Sequence, residues 1–331
     1  MSSRQVAVAR RTMQAMLQDR YGPPTVLRLG EADVPVPDDD QVLVRVVASS
    51  VNALDWHAMR GVPVLVRLTD GLRRPSPIRG VDVAGVVESV GRSVAWARPG
   101  DEVFGSRGGA FAEYVAGRTF AHRPSNLTLE QAAAIPTAGF TALQAVRDHA
   151  RVRAGDRVLV TGAGGGVGSF AVQVATAHGA HVTAVTGPDH VAMVAALGAD
   201  RVVDRTREDV TRGADRYDAV LDVAGRSSLA ALGGLLAPGG ILVIVGAAGD
   251  GRGLETLVRP VAAIVRSRLR GPRMIPFIAK PNRDDLLALK ELAESGRLKP
   301  TIDRTYPLER AGEAIAYLET GLARGKVVVQ I

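Results

Sequence analysis

Two rhythms of apolar and polar residues divide the chain. Over 12–134 the apolar residues come in short runs broken by Gly and Pro, as in Gln41-Val-Leu-Val-Arg-Val-Val47 and the stretch Gly80–Val90. β-Branched runs bounded by turn residues, such as Pro99-Gly100-Asp101, predict short strands in a partly antiparallel, barrel-like unit. From about Ile135 to Met274 the beat changes. Compact apolar runs at 157–160, 181–185, 201–204, 217–223 and 240–245 alternate with helical spacing at 167–178 and 190–197. Strands alternating with helices of this length predict βαβ units, and therefore a parallel sheet with right-handed crossovers. The tail returns to mixed structure, with helices expected at 283–295 and 308–319 and a last strand at 326–331.

Composition narrows the class. The chain has 331 residues, enough for two cores, and its 46% hydrophobic and 23% charged content is that of a globular protein. No apolar run approaches the roughly 18 residues of a membrane span. The first eleven residues lack the apolar core of a secretory signal and read as a short extension, so the cytoplasm is the expected compartment. The chain contains no cysteine, which removes disulfides and thiolate metal sites. The net charge of +7 comes mostly from dispersed arginine, with lysine only at 280, 290, 299 and 326. Without aromatic interleaving or a nucleic-acid motif, this is not a nucleic-acid footprint.

The junction of the first parallel strand with its helix carries the chemistry. It reads Val158-Leu-Val-Thr-Gly-Ala-Gly-Gly-Gly-Val-Gly168, in which Ala163, Gly165 and Gly168 take the three small positions of the dinucleotide fingerprint. A β-carbon at the second position would meet a pyrophosphate, and one at the third would hold helix from strand. The helix that follows offers free N–H groups and a positive dipole end to phosphate. Strand, turn, helix and second strand arrive in order, so the site is read as one for a nicotinamide dinucleotide. NAD enzymes need an acid at the end of the second strand to hold the ribose hydroxyls, but here that strand ends Ala184-Val-Thr-Gly187. Arg205, beyond the third strand, could reach a 2′-phosphate instead, which favours NADPH over NADH.

With those residues in hand, the chain from about Thr12 to Ile331 resembles the zinc-independent quinone oxidoreductase branch of the medium-chain dehydrogenase/reductase superfamily, nearest its reticulon-4-interacting-protein-like members. The resemblance rests on Tyr21-Gly-Pro-Pro24, Val51-Asn-Ala-Leu-Asp-Trp-His57, Gly80-Val-Asp-Val-Ala-Gly85, Pro99-Gly-Asp-Glu-Val-Phe-Gly105, Gly109-Ala-Phe-Ala-Glu-Tyr-Val115, the glycine turn and Ala323-Arg-Gly-Lys-Val-Val-Val329. It implies an α/β fold: a GroES-like catalytic domain from 1–135 and 275–331, with a doubly wound Rossmann domain, 136–274, inserted in it. It implies cofactor contacts at Gly164, Gly165, Gly166, Val167, Thr186, Gly187, Arg205 (often Tyr in the family), Val223, Gly246, Leu322, Ala323 and Arg324. Thr141 is expected at the nicotinamide ribose, with helix packing as its rival role.

Metal-dependent cousins use Cys and the His of a Gly-His-Glu motif, which here reads Gly80-Val81-Asp82. No metal is expected. Without a Lewis acid an alcohol is a poor substrate, whereas quinones and conjugated enones are already electrophilic. Such acceptors need positioning and a donor for the developing oxyanion. Hydride transfer from NADPH to a quinone or α,β-unsaturated carbonyl is the expected reaction. Three residues are candidates for catalysis. Asn52 could donate a hydrogen bond near nicotinamide or substrate. Asp55 is either catalytic or the N-cap of the following helix. His57 could supply a proton or simply pack on that helix.

Helical spacing of Leu254, Leu257, Val258, Val261, Ile264, Val265 and Leu269, beside Arg259, Arg266, Arg268 and Arg270, marks a basic amphipathic helix. A lid or a subunit contact, as in a homodimer, is the favoured reading over a membrane-surface helix. Two rival functions remain open: an NADPH-dependent reductase of a carrier-linked enone, and a non-catalytic NADPH-binding protein.

Overall fold

The computed structural model describes residues 11–245, 255–269 and 271–331. The second rhythm folds as expected into a six-stranded, wholly parallel sheet. Its order is Arg201–Asp204, His181–Thr186, Arg157–Thr161, Tyr217–Asp222, Leu236–Ile244 and Arg273–Pro276. The chain runs outward from the central Arg157–Thr161 strand in one direction, then returns and runs outward in the other. This doubly wound arrangement places a switch point, where ligands bind, at the carboxyl end of that strand. Arg273–Pro276 closes the sheet, so the sheet passes the expected domain boundary at 274 and ends at 276.

The first rhythm and the tail share one mixed sheet. Its order is Ile302–Pro307, Lys326–Gln330, Val42–Val51, Asp82–Val90, Glu102–Ser106 and Phe120–His122, with Tyr114–Gly117 also pairing with Val42–Val51. The barrel-like expectation gives way here: among the described residues no pairing joins the two end strands, and the sheet stays open. A separate hairpin pairs Thr12–Leu17 with Arg28–Asp33. Both chain ends therefore build this unit, since Val327–Gln330 lies antiparallel to Ala48–Val51.

The two sheets are joined by the helix Pro136–Gln144, whose Phe140 is buried in one continuous core with Ala48, Ala84 and Phe104 from the mixed sheet and Val160 and Phe170 from the parallel one. Truncating a Phe in such a position typically costs about 3–5 kcal/mol, because the cavity cannot collapse against two sheets at once. The amphipathic helix is observed at Glu255–Arg268, with Ala263 buried and Val258, Val261 and Val265 exposed. Leu254 and Arg270 lie outside the described residues, as does the extension 1–10. No helix among the described residues is long and apolar enough to cross a membrane.

Candidate active site

The glycine turn sits at the switch point, between Arg157–Thr161 and the helix Gly166–Ala177. Its glycines have distinct duties. A Cβ on Gly168 would stand 2.1 Å from the Gly162 carbonyl oxygen, so only glycine lets the helix pack this close to the strand. A Cβ on Gly165 would meet nothing nearer than that same oxygen at 3.5 Å, which leaves the space above it open. Gly165 is also the N-cap and offers no side chain to the first turn, so the amides of Gly166 and Val167 keep their hydrogens for an outside acceptor. A cradle that a side chain would fill, floored by free amides, fits a pyrophosphate.

Around the turn the structure gathers most of the expected contacts. Thr186 is buried, and its Oγ1 lies 2.6 Å from where a Cβ on Gly164 would be. A Cβ on Gly187 would lie 3.4 Å from Arg205 Nη2 and 3.7 Å from His190 Nδ1. The Arg205 amide donates to Thr186 O at 3.0 Å, which brings the third strand's end over the second's. The C-terminal segment is stitched to the same place: Gly325 N–H donates to Gly164 O at 2.9 Å, and His190 Nε2 lies 3.3 Å from Ala323 O. Leu322 and Arg324 are exposed on either side of buried Ala323. Val223 follows the strand that ends at Asp222, beside the turn. Gly246 lies outside the described residues. His190 was not anticipated; its only sequence signal is its position at the start of the helix after the second strand.

Across the cleft lies a buried polar cluster centred on Asp82. Its Oδ2 accepts from Ser50 Oγ at 2.6 Å, Asn52 Nδ2 at 2.8 Å and Lys326 Nζ at 3.3 Å. Its Oδ1 accepts from the Thr137 amide at 2.9 Å and Thr137 Oγ1 at 2.6 Å. Lys326 Nζ also donates to Asn52 Oδ1 at 2.5 Å, and its stem lies 3.1 Å from the Cβ position of Gly166. The ammonium thus bridges the dinucleotide turn and the mixed sheet. A buried lysine and carboxylate, 2% and 0% exposed, persist because each is saturated by partners. This cluster also answers the metal question that the resemblance raises. The chain has no thiolate, Asp82 has spent its oxygens on five hydrogen bonds, and an ammonium occupies the neighbourhood, so these residues do not fit a metal ion.

The three catalytic candidates change character. Asn52 donates to Ser50 O at 3.2 Å and to Asp82, so both amide hydrogens are committed and none is left for substrate. Asp55 is not an N-cap. Asn52 holds that position for the helix Ala53–Arg60, and Asp55 reaches back three residues to accept its backbone N–H at 2.7 Å. Burial pushes the Asp55 carboxyl up to about 7, and the nearby Asp82 charge adds to the rise. His57 stacks on Trp56 at 3.7 Å, and its Nδ1 donates to Val62 O at 2.8 Å. Burial lowers its pKa, which favours the neutral ring, and with Nδ1 protonated the free Nε2 has no proton to give. It does not line either cavity described here.

A cavity of about 430 Å³ opens between the two units. The helix Pro136–Gln144 gives it Thr137, Phe140 and Thr141, and residues just beyond the strand ends of the mixed sheet give it Val81, Arg107 and Arg118. Thr141 Oγ1 donates to Thr137 O at 2.7 Å, so both threonine hydroxyls face the cavity as acceptors only. A second cavity, of about 530 Å³, shares Leu54, Val81 and Arg107 and includes Asp55.

Comparison with known proteins gives the arrangement a family. Residues 38–123 match the alcohol dehydrogenase GroES-like domain, and residues 197–329 a domain described as zinc-binding dehydrogenase. The chain is 34% identical to an NADPH-dependent alkenal/one oxidoreductase, chloroplastic, of Arabidopsis thaliana over 96% of this chain and 79% of that protein. It is equally 34% identical to the NAD(P)H oxidoreductase RTN4IP1, mitochondrial, of Mus musculus, over 96% and 89%. The solved quinone oxidoreductase of Coxiella burnetii superposes with a TM-score of 0.84 at 32% identity, over 97% of this chain and all of that one. Likeness along nearly the whole length, in a chain without cysteine and with Val81 where metal-dependent cousins carry His, shows that this chain belongs to the zinc-independent quinone oxidoreductase branch of the medium-chain dehydrogenase/reductase superfamily.

Proposed function

We propose that the protein reduces quinones and α,β-unsaturated carbonyls by hydride transfer from NADPH. The observation that carries this is the open floor over Gly165, ringed by free amides, in a chain that also holds a cavity walled by Thr137, Phe140 and Thr141. The names of the Arabidopsis and Coxiella relatives support the two acceptor classes.

On this reading Gly165, Gly166 and Val167 hold the pyrophosphate, and Thr186 and Gly187 flank the adenosine ribose. Arg205 has no ion-pair partner among the described residues and faces Gly187 together with His190, where a 2′-phosphate would lie. A cation in the place of an acid favours NADPH. Thr141 accepts from the nicotinamide ribose. When bound, NADPH would supply the hydride. The acceptor's displaced π electrons settle on its carbonyl oxygen. Thr137 and Thr141 have committed their hydroxyl hydrogens, and water entering the open cavity supplies the proton that completes the reduction. Phe140 and Val81 give the conjugated acceptor an apolar bed and fix its plane. The exposed face of Glu255–Arg268 serves as a subunit contact or lid.

A stopped-flow screen of NADPH oxidation with quinones, enones and saturated aldehydes in parallel tests the proposal. Turnover of the first two classes and not the third is expected; tight NADPH binding with no turnover of any class overturns it.

A further inference from the structure

The two cavities differ in charge. The larger is lined by Asp33, Asp55 and Asp70 as well as Arg79, which pairs with Asp70 at 3.0 Å, and it shares Arg107 with the smaller. The smaller, which holds the threonines, has two arginines and no acidic residue among the described residues lining it. One of these arginines is already neutralised: Arg118 pairs with Asp40 at 2.6 Å and Asp38 at 3.3 Å. The other is not. Arg107 has no ion pair and no side-chain hydrogen bond among the described residues. It is nonetheless held in place. Its N–H donates to Val81 O at 2.8 Å, and its Cγ lies 3.1 Å from where a Cβ on Gly117 would be, so the bare glycine gives its stem a berth. The result is a cavity with one surplus positive charge on its wall, across from the helix that carries Thr137 and Thr141.

We infer that the acceptor is a conjugated carbonyl bearing a carboxylate, which Arg107 binds while the electrophilic end lies against Phe140 and the two threonines. The inference deepens the hydride-transfer reading and rests on it. A guanidinium matches a carboxylate with two parallel hydrogen bonds, and this fork adds orientation as well as affinity. The phosphates of the cofactor are not the anion in question, because none of the residues of the glycine turn lines this cavity. Because Arg107 is exposed, solvent screens the pair, and the expected preference for an anionic acceptor is modest, roughly tenfold.

The test compares benzylideneacetone with its para-carboxylate in the full-length protein with NADPH. The wild type is expected to turn over the carboxylate with a kcat/KM roughly tenfold above the parent, and rising salt should erode that ratio. In Arg107→Gln the ratio should fall to about one, and Arg107→Lys should restore part of it, since the charge survives without the fork. Equal rates for the two acceptors in the wild type overturn the inference. So does an Arg107→Gln variant that keeps the wild-type ratio, including one in which both acceptors slow equally, which would assign Arg107 to the carbonyl oxygen. If neither acceptor consumes NADPH, the hydride-transfer reading fails and the anion site is read by calorimetric titration of the NADPH complex with the saturated para-carboxylate. Binding weakened roughly tenfold in Arg107→Gln sustains the site, and binding indifferent to that change overturns it.

Discussion

The two walls of the cleft are made by opposite means. The dinucleotide wall works through missing side chains: Gly165 leaves a space, Gly168 permits a contact, and backbone amides stand free. The facing wall works through side chains that are present, charged and buried, with Asp82, Asn52, Thr137 and Lys326 satisfying one another. Substitution should therefore act differently on the two walls. A change at Gly165 in the first adds bulk to open space and harms binding before stability. A change in the second strands a buried charge and harms stability first.

The largest expected effect lies in the charged wall. Lys326→Met should destabilise the protein by about 3 kcal/mol, the low end for a broken buried pair, because four other hydrogen bonds still reach Asp82. Urea unfolding measures it, and Lys326→Met with Asp82→Asn should recover much of the loss. If the double variant is no more stable than the single one, the cluster is not a mutual charge pair. On the glycine wall, Gly165→Val should weaken NADPH binding at least a hundredfold, about 2.7 kcal/mol, with the urea midpoint nearly unmoved. Fluorescence titration reads the affinity; a large fall in the midpoint would erase the contrast between the walls.

Arg205→Gln should lower the preference for NADPH over NADH roughly tenfold, about 1.4 kcal/mol, measured as the ratio of the two KM values. An unchanged ratio would remove Arg205 from phosphate recognition. The last effect is a slope. Asp55 keeps its proton in the folded protein up to about 7, whereas in the unfolded chain it loses the proton near the ordinary carboxylate value. Between those two values the unfolded state holds fewer protons, so stability falls as pH rises, by at most about 1.4 kcal/mol per pH unit, and levels off above about 7. Asp55→Asn should flatten that fall across a series of urea titrations, and parallel profiles for the two proteins would contradict it.

The same contrast decides what the sequence made legible. The glycine wall is local: strand, turn and helix occupy consecutive residues, so spacing alone predicted the glycine turn and the doubly wound sheet around it. The charged wall is assembled from positions far apart in the chain. Lys326 opens an apolar strand, where a lysine reads as its solvated rim, and its partner Asn52 is 274 residues away. Asp82 was legible only as a departure from a metal-binding motif, with no hint of the five hydrogen bonds it collects. Asn52 and Asp55 were found as residues but not as roles, because nothing in their spacing shows that Lys326 and Asp82 claim the amide. The helix Pro136–Gln144 was legible only as the packing role offered for Thr141; Pro136 starts it at a position that suits proline, while Gly139 weakens its signal and burial between two sheets offsets that. The open mixed sheet, expected to be barrel-like, depends on long-range pairing that short strands do not encode.

The hydrogen bond from Gly325 to Gly164 sets the mechanics of the cleft. It fastens the strand carrying Lys326 to the turn beneath the coenzyme, so the two sheets have a seam there. The same seam lays the stem of Lys326 3.1 Å from the Cβ position of Gly166, so a side chain on that glycine would press on the buried charge cluster as well as on the cradle.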